Sequence, residues 1–166
     1  MTMWRTFIAL PLRGVAGSPE FNLALFALLL NFPWEIMQAG LFAGMANAPY
    51  AEAIEGCTQA TLGDVLITLL AYGAVALAAR NRRWLLAPSG RQLAAFIGIG
   101  LSITALIEWL ATNGRWVKSW TYSTSMPLLP GTEIGLAPLL QWVVVPLLVL
   151  WFVRRQSAHR GGGEAP

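Results

Sequence analysis

Val143-Val-Val-Pro-Leu-Leu-Val-Leu-Trp-Phe-Val153 runs without a single polar side chain. A transmembrane β-barrel strand would alternate apolar and polar residues over segments of roughly ten. This stretch is apolar on every face, as is Leu23-Ala-Leu-Phe-Ala-Leu-Leu-Leu30. A helix that is hydrophobic all round is surrounded by apolar medium, and a bilayer is the medium that suits it.

Working outward from these runs, about 20 apolar residues cross a hydrocarbon core of roughly 30 Å. Four windows qualify, at about residues 21–42, 62–79, 92–111 and 134–153. The predicted fold is therefore all-α: four transmembrane helices in an up-down-up-down bundle, with both termini cytoplasmic. Composition agrees, since 56% of the 166 residues are hydrophobic and 11% are charged, against about 25% charged in soluble domains. The mean hydropathy is +0.57. The expected organisation is one transmembrane domain over 1–155 and a flexible cytoplasmic tail over 156–166, which ends Gly-Gly-Gly-Glu-Ala-Pro166.

Orientation follows from the arginines. Nine of the 11 basic residues fall in the N-terminal segment (Arg5, Arg13), the second connection (Arg80, Arg82, Arg83, Arg91) and the tail (Arg154, Arg155, Arg160). The positive-inside rule puts these on the cytoplasmic side of a bacterial inner membrane. The first connection, 43–61, has no basic residue, and the third has Arg115 and Lys118. The net charge of +3 is thus a topology signal, and no nucleic-acid partner is expected. Residues 1–16 are too short to span and lack a small-residue cleavage site, which fits an interfacial amphipathic segment better than a signal peptide.

The polar residues inside the spans carry the functional reading. With the helices oriented, Glu35, Asp64 and Glu108 all collect in the outer leaflet, above a nearly polar-free cytoplasmic half. Asn31, Glu35 and Gln38 are offset by four and three and so stack on one helical face. Thr104 and Glu108, like Asp64 and Thr68, are offset by four, and Gln141 lies at matching depth. A charge at bilayer depth costs roughly 2.5–3.5 kcal/mol on insertion scales and tends to face a partner or a cavity. Pro33 loosens the turn carrying Glu35, and Pro138 and Pro146 are expected to act likewise around Gln141 and Trp142.

Structural alternatives stand beside these readings. Thr61-Leu-Gly-Asp64 fits a capping box at a helix start, and Glu108 can be a carboxylate reaching the interface. Asn31 and Gln141 can serve as interhelical glue. Gly98, Gly100 and Ser102 suit close packing, and most of the tryptophans suit the membrane–water interface. His159 and the lone Cys57 have no companions, so neither a metal site nor a resident cofactor is expected.

No nucleotide loop, nucleophile elbow or metalloprotease motif is present. An acid–base constellation remains, because two close carboxyls in an apolar site separate into one acid and one base. The predicted catalytic set is Glu35 with Asp64 and Glu108 as charge partners. Asn31, Gln38 and Gln141 would orient them, and Trp34, Trp109, Trp120, Tyr122 and Trp142 would wall the substrate. Such a site suits a lipid or isoprenoid-like molecule, with aromatic faces beside a carbocation. A proton- or ion-coupled small transporter is the second class, and an accessory subunit of an oligomer or larger membrane complex the third.

The runs Asn31-Phe-Pro-Trp-Glu35, Thr61-Leu-Gly-Asp64, Ile107-Glu-Trp109, Trp120-Thr-Tyr-Ser-Thr-Ser-Met-Pro127 and Pro138-Leu-Leu-Gln-Trp142 resemble an uncharacterised family of small four-helix bacterial membrane proteins. That likeness covers most of the chain and implies no activity. Acidic residues beside Trp, Tyr and Pro in a short polytopic bundle are also similar to the lycopene-cyclase domain and other carotenoid-modifying membrane enzymes. That second likeness implies isoprenoid chemistry.

Overall fold

The computed structural model describes residues 17–161. The expected interfacial segment at 1–16 and the end of the tail lie outside the described residues. Within them are four helices: α1 (Pro19–Gln38), α2 (Tyr50–Ala79), α3 (Gly90–Thr112) and α4 (Leu136–Gly161). Each is long and apolar enough to cross a membrane. The only extended pairings among the described residues are two isolated bridges, Phe42 with Tyr122 and Leu128 with Gly135.

Local chemistry sets the helix ends. Ser18 caps α1 by accepting from the Phe21 N–H at 3.1 Å, and Pro19 follows at a position where its missing N–H costs nothing. Ser89 and Gln92 form a reciprocal capping box at the start of α3. The α2 helix stops at Arg80, whose φ of 49° places it in the left-handed region, so its N–H turns back to the Ala76 and Leu77 carbonyls.

Helix boundaries differ from the sequence expectation at two places, and α4 is one, running on to Gly161 through the first part of the expected tail. The second helix begins at Tyr50 rather than near residue 62, so Thr61 and Asp64 lie well inside it. The capping-box alternative for Asp64 therefore fails, and the Thr61 hydroxyl bonds the Cys57 carbonyl at 2.7 Å instead. Glu52, Glu55 and Gln59 disguised this stretch as a loop, although glutamate and glutamine favour helix once water can solvate them. Pro138 also differs from expectation: it sits in the first turn of α4, where no intrahelical donor is lost. Pro33 and Pro146 are inside their helices.

The helices pack in a ring, with α1 and α3 each against both α2 and α4. One half of the bundle has an apolar core of Leu23, Ala27, Ala71, Val75, Phe96, Val145 and Val149. Trp84, from the α2–α3 connection, plugs its end at 1% exposure. The ring stacks on Tyr72 with centroids 6.0 Å apart and meets Phe96 edge-on at 5.6 Å. Beside it Glu20 accepts from Tyr72 at 2.9 Å and from Arg82 at 2.8 Å. Leu66, Leu70, Leu77, Leu106 and Trp151 face outward, as suits helices solvated by lipid.

At the opposite end the long connection 113–135 folds back over the bundle. Ala43 N–H donates to the Thr121 carbonyl at 2.8 Å, and Ser123 N–H to the Leu41 carbonyl at 2.9 Å. These bonds fasten the connection to the chain just beyond α1. They also set Trp120 and Tyr122 above the helix ends.

Candidate functional site

Under this connection lies a cavity of about 750 Å³, within the roughly 300–1,000 Å³ range of small-molecule sites. It runs from buried Gln141 and Thr104 out to exposed Trp116 and Lys118. Apolar side chains such as Phe42, Ile67 and Ile107 form much of the wall. Glu35, Asp64 and Glu108 all line it.

Two hydrogen-bonded groups reach this space, through Glu35, Gln38, Asp64 and Gln141 in one and Glu108 and Trp120 in the other, with Asn31 and Trp34 set behind the lining. In the first, the Gln141 side-chain nitrogen on α4 lies 2.9 Å from Asn31 Oδ1, 2.9 Å from Glu35 Oε1 and 2.8 Å from Asp64 Oδ2. Gln38 donates to Glu35 at 2.8 Å and to Gln141 Oε1 at 3.0 Å. Trp34 donates its indole N–H to Gln38 at 3.2 Å, and Asn31 is anchored by donating to the Ala27 carbonyl. The i, i+3 and i+4 spacing of α1 places Asn31, Glu35 and Gln38 on one buried stripe. Gln141 reaches that stripe from α4 and links it to Asp64 on α2.

In the second group, Glu108 on α3 accepts from the Trp120 indole at 3.1 Å and from the Tyr122 hydroxyl. Tyr122 in turn accepts from the Gly135 N–H at 3.0 Å. Burial, and then the Glu108 carboxylate beside it, push the Tyr122 phenol well above its ordinary value. Glu108 is 6% exposed, one turn from the end of α3 and covered by the long connection.

The predicted residues thus separate by position. Asn31, Trp34, Glu35, Gln38, Asp64 and Gln141 share one network, while Glu108, Trp120 and Tyr122 share another across the same cavity. Tyr122 orients Glu108 rather than lining the space. Trp109, expected in the wall, turns outward at 42% exposure with the Arg115 guanidinium 5.2 Å from its ring centre. Trp142 is buried and lies against Gly100, where even a Cβ would collide with its ring.

Residues outside the predicted site also line the cavity: Phe42, Gln59, Trp116 and Lys118, together with Thr104, which the sequence pairs with Glu108. Lys118 donates to Gln59 at 2.6 Å, joining the long connection to the extended start of α2. A signal for Thr104 was present in its offset of four from Glu108. Nothing local marks Gln59 or Trp116. Among the described residues, no group of three or more His, Cys, Asp and Glu is arranged to hold a metal ion.

Set against protein-family models, curated proteins and solved structures, the chain matches none of them.

Proposed function

We propose that this is a multi-pass protein of a bacterial inner membrane whose outer-half cavity binds, and chemically works on, a lipid-like molecule. In this reading the helices run up-down-up-down with both termini in the cytoplasm. The arginines around Trp84 and at the end of α4 support the orientation through the positive-inside rule. Antiparallel α1 and α4 are supported by two contacts: Phe26 stacks on Phe152 at 5.3 Å, and Gln38 bonds Gln141.

One observation carries the site reading: the Gln141 amide binds two carboxyl groups from two other helices at the base of an apolar cavity. Purely structural glue between helices needs only a single polar pair. Here two ionisable groups are brought together and left lining open space, which is how sites of acid–base chemistry are built.

Glu35 is the acid or base, with Asp64 and Glu108 as charge partners and Asn31, Gln38 and Gln141 as orienting groups. In the acid direction the Glu35 carboxyl gives its proton to one carbon of a substrate double bond. The π pair forms the new C–H bond, and the neighbouring carbon becomes cationic beside the Trp120 face. A carboxylate then takes a proton from the adjacent carbon, leaving a product with its double bond moved and the original proton count. The apolar core beneath the site favours a closed-ended chamber over a transport path.

The test is mass spectrometry of lipids that co-purify with the wild type and with Glu35→Gln. A species retained by the wild type and lost from the variant is expected. Identical lipid profiles from two equally folded proteins would sink the reading.

A further inference from the structure

The cavity's hydrogen-bonding capacity is unbalanced. A side-chain amide nitrogen carries two hydrogens, yet three oxygens lie within bonding distance of Gln141 Nε2. Gln38 gives one hydrogen to Glu35 Oε1 and the other to Gln141 Oε1, so the four amide hydrogens match these four oxygens and none is left for the other carboxyl oxygens or for Thr104. Thr104 adds a hydroxyl oxygen that is buried, lines the same cavity and has no hydrogen-bond partner. Charge is unbalanced in the same sense. Three carboxyl-bearing residues line the cavity, while its one basic residue, Lys118, is at the exposed mouth and already engaged by Gln59.

We infer that the ligand of this cavity carries a protonated primary or secondary amine head, set among Glu35, Asp64 and Thr104, with an apolar tail along the wall. This rests on the proposed reading of the cavity as a site for a lipid-like molecule and names its head-group chemistry; beside such a head Glu35 is a carboxylate and takes the base role rather than the acid role. An ammonium brings a positive charge, and hydrogens for carboxyl and hydroxyl oxygens beyond those that the amides of Gln38 and Gln141 already serve. A quaternary ammonium brings the charge without the hydrogens, and an alcohol brings one hydrogen without the charge. A carboxylate adds a further acceptor and a further negative charge.

The experiment titrates purified protein in lipid nanodiscs near pH 7 with decylamine, decyltrimethylammonium, decanol and decanoate, following tryptophan emission against empty nanodiscs. At that pH an alkylamine is protonated, as lysine is. Decylamine should bind about tenfold or more tighter than decanol, the worth of one charge-assisted hydrogen bond. Decyltrimethylammonium should fall between them and decanoate last. Glu35→Gln and Asp64→Asn each replace an acceptor with a donor and should bring decylamine down to the level of decanol.

If decanol binds as tightly as decylamine, the amine inference is overturned and the apolar site stands. If none of the four probes binds above the blank, both readings fall. Should either variant not fold, the ranking of the four probes on the wild type decides the matter alone.

Discussion

The Tyr122 hydroxyl stands between Gly135 and Glu108, accepting from the backbone N–H of one and donating to the carboxylate of the other. A single phenol thereby fixes the long connection to both α3 and the start of α4. Without it Glu108 would keep only the Trp120 indole.

Removing that phenol should loosen the cover of the cavity. Tyr122→Phe is expected to cost about 1–3 kcal/mol, since a buried carboxylate loses a donor and the Gly135 N–H loses its acceptor. Thermal unfolding in detergent measures the cost. The wild type should also be sensitive to alkali. Because the folded-state value is raised above the ordinary 10, the contribution of Tyr122 is whole below about pH 10 and is lost as pH rises beyond it. A stability profile at alkaline pH that is the same for Tyr122→Phe and the wild type would contradict this.

Gln141 is the residue on which three helices converge. Gln141→Leu keeps the bulk and removes the amide, leaving Asn31, Glu35 and Asp64 without their shared donor. A loss of about 1–3 kcal/mol is expected, accompanied by loss of the retained lipid. Gln141→Glu, which adds a third carboxyl to the pair, should be worse than leucine. Steric-trap or denaturant unfolding of both variants checks the order.

Close packing in the middle of the bundle is testable through a pair. Gly100→Ala drives a methyl into the Trp142 ring and should destabilise by about 1–3 kcal/mol, as overpacking does. Combining it with Trp142→Leu should recover part of that loss, because the two changes share one space. Additive effects in the double variant would show that the contact is not the cause.

Orientation has its own experiment. In a Cys57→Ser background, Ser125→Cys and Ser89→Cys place thiols in the two connections at opposite ends of the bundle. A membrane-impermeant maleimide should label the first from outside intact spheroplasts, and the second only after permeabilisation. The reverse pattern would invert the proposed topology and put the cavity on the cytoplasmic side.

Much of the frame was legible in residue order, because apolar length is a one-dimensional property. The runs around Leu23 and Val149 needed no partner to be read. The stripe Asn31, Glu35 and Gln38 was legible too, since helical spacing fixes which side chains share a face. The start of α2 was not: Glu52, Glu55 and Gln59 are as polar as a loop, and their helical state rests on solvent outside the hydrocarbon. The aromatic wall was legible by type but not by member. Whether Trp109 or Trp116 turns inward depends on the rotation of α3 and the path of the connection, which spacing within one segment cannot supply. Gln141 could be placed at the right depth, but its reach to both α1 and α2 is a property of packing.

The early start of α2 bears on the membrane itself. Thirty residues at 1.5 Å each make a rod of about 45 Å, some 15 Å longer than the hydrocarbon it crosses. Glu52, Glu55 and Gln59 on the overhanging turns resist immersion, so a thicker bilayer would be met by tilting or by local thinning rather than by swallowing the tip. Asp64 rides on the same rod, about a turn and a half below Gln59 and its tie to Lys118. Acyl-chain length thus becomes a setting on the geometry of the chamber, and the surrounding lipid a participant in how its carboxyls meet.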